Sequence, residues 1–168
     1  MKTALACVVA LMVSAPMASQ AEEVDLDELR TSLDKYQDVN AALADGYVPD
    51  PSGTCVTAEE AGAPVELGAM GIHYLNPGIL QITGTDPIVD GTGINTDWNQ
   101  PAVLIYEPQA DGSLQLVGAE NLVFEAAWIA TGEPSPMLND RPWDYMKDDP
   151  ATEGHEAHGF APHYDQHV

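Results

Sequence analysis

Imidazole is the most concentrated chemistry in this sequence. The five histidines are His73, His155, His158, His163 and His167, and four of them fall in the final fourteen residues. Imidazole is the commonest metal-binding side chain, and several in a short tract can surround one ion. His163 and His167 are four apart, a spacing that puts both on one face of either a strand or a helix. His155 and His158 share a face only on a helix, and Gly154, Gly159 and Pro162 argue against a regular one. The ordinary alternative is a solvated His-rich tail, since the spacing lacks the specificity of a signature such as the His-Glu-x-x-His helix.

Two carboxylates are placed to join the imidazoles. Glu107 ends the apolar run Val103 to Tyr106, and Glu120 begins the next apolar run. A solvated strand end is the plainer reading of each, because acidic side chains are mostly exposed. The expected site takes nitrogen ligands from His73, His163 and His167, with Glu107 or Glu120 as the fourth group. Such a set suits copper or zinc and disfavours calcium. Met70, Met137 and Met146 would allow a softer copper site, although methionines more often fill cores. Two other classes are compatible with these residues. One is a metal-dependent periplasmic enzyme of unknown substrate, with a glutamate as base beside metal-bound water. The other is a non-catalytic, pH-sensitive interaction protein. The sequence contains no Gly-x-Ser-x-Gly nucleophile motif and no phosphate-binding glycine loop.

Three segments, Met70-Gly71-Ile72-His73-Tyr74-Leu75-Asn76-Pro77, Leu104-Ile105-Tyr106-Glu107-Pro108 and His163-Tyr164-Asp165-Gln166-His167, carry a resemblance. The chain from Ala41 onward resembles a group of uncharacterised secreted bacterial proteins with Met-Gly-x-His-Tyr, Tyr-Glu-Pro and His-Tyr-Asp-x-His segments in this order. The resemblance implies that His73, Glu107, Glu120, His163 and His167 act together, and it brings no established activity. The group continues past the second histidine with an aromatic strand and a late cysteine, which could pair with the counterpart of Cys55. The sequence here ends at Val168.

These groups need elements to position them. Leu26, Leu29, Leu33, Tyr36 and Leu43 recur at steps that make one apolar stripe, so the spacing predicts an amphipathic helix over 25–45. Asp25 and Glu28 form a start signal, and Gly46 a stop. An amphipathic stripe usually faces its own domain's core, with a partner-binding helix as the alternative. Residues 46–67 read as a loop punctuated by Pro and Gly. Residues 68–130 read as β-rich: 72–75, 79–83, 102–106 and 113–117 have strand composition, with Asp111-Gly112 marking a turn, while 121–130 suits strand or helix. Residues 131–168 read as an irregular His-rich tail. The expected class is α+β: an N-terminal helix, then a mainly antiparallel sheet or small barrel.

The chain's beginning and its charge set the setting. Met1-Lys2-Thr3, the apolar run Ala4 to Val13 and the small-x-small Ser19-Gln20-Ala21 make a secretory signal over 1–21, which leaves 22–168 as one small acidic domain. The run is too short for a spanning helix, so the mature product is expected to be soluble, periplasmic or secreted. All 27 acidic residues follow Ala21, and losing Lys2 takes the net charge from −22 to −23. That field repels nucleic acid and anionic lipid, so neither is an expected partner; for most of these charges a solvated surface is the simpler explanation. Cys7 leaves with the signal, so Cys55 stands alone as a buried thiol, a metal ligand or the bridge of a homodimer.

Overall fold

A computed structural model describes residues 23–50, 55–59, 64–148 and 157–168. The leader expected over 1–21 and the imidazole of His155 lie outside the described residues.

The stretch read as one helix over 25–45 comes in three pieces. These are α1 (Leu26–Leu33), a 3-10 turn (Asp34–Gln37) and α2 (Val39–Ala44). Asp25 caps α1 by accepting from the backbone N–H groups of Asp27 and Glu28. Asp38 is extended and caps α2 through the N–H of Asn40, so a short acidic side chain ends one helix and starts another. Leu29, Leu33, Tyr36 and Ala42 are buried beneath these turns.

The remaining elements, in order, are mostly strands. The expected loop contributes β1 (Val48–Pro49), β2 (Val56–Thr57) and a 3-10 turn at Val65–Leu67. Then come β3 (Ala69–Leu75), the one-turn α3 (Pro77–Leu80), β4 (Ile82–Gly84) and β5 (Asp90–Gly91). The centre is β6 (Val103–Pro108) and the long β7 (Leu114–Phe124), which runs into α4 (Glu125–Thr131). Last are β8 (Met137–Leu138), β9 (Arg141–Pro142), β10 (Asp144–Met146) and β11 (His163–His167).

The architecture is α+β with an antiparallel main sheet in the order β1-β3-β6-β7-β11-β10, β2 also pairing with β3. The outer strands β1 and β10 do not pair with each other, so the sheet stays open and the barrel alternative is excluded. Against expectation, the terminal segment is not irregular: β11 lies between β7 and β10. Its His-Tyr-Asp-Gln-His composition hid a strand whose backbone is satisfied on both sides.

Strand alternation gives the sheet two different faces. Tyr74, Leu104, Tyr106, Ala119 and Val123 point to the helical side and pack with Leu29, Leu33, Tyr36, Trp98 and Trp143. Leu75, Val103, Ile105, Leu122 and Phe124 point the other way, against Leu80, Phe160 and Ala161. His73, Glu120, His163, Asp165 and His167 share this second face, because they alternate with residues of the first.

The Tyr106 hydroxyl, buried within the sheet, donates to the Tyr36 carbonyl at 2.7 Å and ties the helical turn to β6. Tyr106→Phe would leave that carbonyl unpaired. It should cost about 1–2 kcal/mol, read as a lower urea midpoint with an unchanged slope.

Candidate metal centre

Strand register brings the site together. β11 and β7 pair so that His167 lies opposite Glu120, which on its other side faces Val103 of β6. His73 of β3 lies opposite Ile105, one same-face position along β6 from Val103. The β3 and β7 backbones flank β6 and are therefore roughly 10 Å apart, at about 4.8 Å per strand. The imidazole and the carboxylate close that gap from either side.

They meet at one oxygen. Nε2 of His167 is 3.3 Å from Oε2 of Glu120, and Nε2 of His73 is 3.5 Å from the same oxygen. The two imidazole rings stand at 77°, with centroids 6.3 Å apart. One donor atom from each of His73, Glu120 and His167 falls within 4.8 Å of the other two. The glutamate is buried, its side chain 5 % exposed, whereas His167 is about one-third open to solvent.

A buried carboxylate would normally hold its proton. Burial does push Glu120 that way, but the charge and hydrogen bond of His167, with His73 and His163 behind it, win and hold the carboxyl well below its ordinary range. The effect is reciprocal: burial lowers the His167 pKa, yet the Glu120 carboxylate outweighs it and lifts the imidazole to about 9.

His163 and Asp165 form a second pair on the same strand face. Nδ1 of His163 donates to the Ala161 carbonyl at 2.8 Å, and its Nε2 faces Asp165 Oδ2 at 3.5 Å. Its ring also packs on Phe160. Burial and then the His163 contact act on Asp165 in opposite senses, and burial prevails, so its pKa is raised. The His163 pKa rises as well, because Asp165 outweighs the burial that opposes it.

Five residues were expected to act together; four of them border one small cavity, and three bring ligand atoms within 4.8 Å of one another. His73, Glu120 and His167 converge. His163 lines the same small cavity as these three, while its Nδ1 donates to the Ala161 carbonyl and its Nε2 faces Asp165. Glu107 lies away from this cavity. It is exposed at the end of β6, opposite Gln115, and its carboxylate accepts from the Gln109 side chain at 3.0 Å. It lies four residues, again roughly 13 Å, from the Val103–Glu120 rung. Asp165 was missed as a participant; its signal was the two-residue spacing from both His163 and His167.

The three converging groups open on a cavity of about 40 Å³, whose walls include Val103, Leu122, Met70, Met146, His158 and Asp165. That is room for an ion or a water or two, since one water occupies about 30 Å³ of liquid. Of the three methionines proposed as soft donors, Met70 and Met146 reach this cavity and Met137 does not. A larger cavity of about 520 Å³ lies on the helical side, lined by Leu29, Trp98 and Trp128 with several carboxylates and no histidine. The converging imidazoles make the smaller cavity the chemical one. No protein-family model, curated protein or solved structure matches the chain.

The raised His167 pKa has a stability consequence. Stability from a raised histidine is complete below the ordinary value of 6.5 and is lost as pH rises through about 9. Metal-free protein, held in chelator, should therefore show a urea midpoint that falls between those pH values. Glu120→Gln should flatten that fall. An equally steep fall in the variant would show that Glu120 is not the partner.

Proposed function

We propose that this is an exported acidic protein that binds one first-row transition-metal ion, copper or zinc, through His73, Glu120 and His167. The observation that carries the reading is the spacing of the donors. A tetrahedral ion holding its ligands at about 2.0–2.1 Å separates neighbouring donors by about 3.3–3.4 Å. The two nitrogen–oxygen separations are 3.3 and 3.5 Å. The two imidazoles thus face the carboxylate at separations that a shared ion would also accept. The nitrogen–nitrogen edge is bounded only at 4.8 Å, and rotation of the more exposed His167 ring can shorten it.

Two nitrogens and one carboxylate oxygen favour zinc or copper over calcium or magnesium, which prefer all-oxygen shells. Met70 and Met146 at the cavity wall add a soft character that copper would use. The small cavity supports binding over turnover, because an organic substrate needs several hundred Å³.

Export is read from the leader at 1–21, and the resemblance to secreted proteins agrees with it. No helix among the described residues is long and apolar enough to cross a membrane. The partners follow from charge and chemistry: the metal ion, with nucleic acid and anionic membrane repelled by the −22 net charge. Cys55, half-buried and free among the described residues, is the group through which a homodimer would be bridged.

Metal content tests the reading. Untagged protein incubated with copper or zinc and then desalted should retain about one ion per chain, the number one three-ligand site holds. His73→Ala and His167→Ala should each lose it, and Glu107→Ala should keep it. Wild-type protein that retains neither metal would contradict the proposal.

A further inference from the structure

We propose that His158 is the fourth ligand, so that the ion is held by three imidazoles and one carboxylate with no position left for water. This rests on the metal reading above and deepens it: a closed shell is that of a protein that holds or carries its ion, whereas a catalytic site keeps a position open.

Several observations converge on His158. Its side chain lines the same cavity as His73, Glu120 and His167. The ring is partly buried, feels the charges of His73 and Glu120, and has no hydrogen-bond partner among the described residues. By contrast, His163, on the same cavity, has both nitrogens engaged.

Its backbone is costly to hold. His158 has φ +51, in the left-handed region that a residue with a side chain seldom adopts, and it is followed by Gly159 at φ +83. Such conformations persist where the surroundings over-determine them, and they gather at ligand clamps. Here the described residues of the turn are tied down. Ala157 N–H donates to Asp148, Phe160 N–H to the Ala157 carbonyl, Val89 N–H to the Gly159 carbonyl and Ala161 N–H to the Val89 carbonyl, each at 2.8–3.0 Å. Phe160 is buried against Phe124 below. These ties hold a strained turn over a water-sized cavity with its imidazole at the wall. Its nitrogens do not lie within 4.8 Å of all three converging donors, so ligation requires the ring to swing into the cavity it lines.

Cobalt(II) is the probe, because its visible spectrum reports coordination number directly. Wild-type protein should bind Co(II) with the intense visible bands of a four-coordinate ion. His158→Gly keeps the left-handed backbone and removes the ring. Its Co(II) spectrum should fall to the weak bands of a five- or six-coordinate, water-filled shell. Its zinc affinity should drop by more than about 100-fold, beyond the roughly 10–100-fold that an outer-shell partner costs. His158→Cys, made with Cys55→Ser, should restore four-coordinate Co(II) and add a near-ultraviolet thiolate-to-cobalt band. An unchanged spectrum in His158→Gly, whatever its affinity, would overturn the assignment and leave a three-ligand site. The same holds if the cysteine variant binds cobalt without the thiolate band. Wild-type protein that binds neither cobalt nor zinc would instead overturn the metal reading beneath it.

Discussion

Glu120 is an ionisable group placed at the middle of a sheet, 4 % exposed, and much of the surrounding structure follows from that placement. An isolated carboxylate in such a position is strongly disfavoured unless paired. Two imidazoles from two other strands supply the pairing at a single oxygen. The requirement also fixes register. If β11 slipped by one residue along β7, His163, Asp165 and His167 would turn into the helical-side core, and Tyr164 and Gln166 would turn toward the carboxylate. The strand that looks least like a strand is therefore held in place by the charge it must answer. Losing one member of a fully buried charged set costs about 3–5 kcal/mol, and less where a partner such as His167 is one-third open to solvent.

The two faces divide the work. The helical side buries a conventional aromatic and aliphatic core, with Tyr36, Tyr47, Tyr74, Tyr106, Trp98 and Trp143. The opposite face keeps a smaller apolar patch around Phe124 and Phe160 and also carries the titratable groups. Val103 and Leu122 wall the cavity beside them. A low-dielectric floor strengthens every charge interaction above it, which is how Glu120 and His167 shift each other's proton affinity so far.

Much of this was legible in the sequence, for reasons visible residue by residue. The run Val103 to Tyr106 looked like a buried central strand because both of its faces are apolar, and it is one. His73, His163 and His167, with Glu107 or Glu120, were named from residue type, and the structure brings His73, Glu120 and His167 of that set within 4.8 Å of one another. What failed was distance. The four-residue spacing of His163 and His167 correctly places them on one face, but a strand extends about 3.3 Å per residue, so the two imidazoles meet different carboxylates, Asp165 and Glu120. Glu107 failed similarly: its place at a strand end was read correctly, but nothing local reveals that the strand ends at solvent. β11 was hidden because its apolar content is low, and its burial depends on partner strands about twenty to fifty residues away. Asp38 split the N-terminal helix by a capping bond that the apolar stripe does not register.

The central claim is that one ion sits among His73, Glu120 and His167. It is tested most directly by an anomalous-scattering difference map from crystals of zinc- or copper-loaded protein. The account predicts a single strong peak about 2 Å from His73 Nε2, Glu120 Oε2 and His167 Nε2. A peak confined to the acidic surface, or to the segment around His155, with density between these three groups empty, would contradict it.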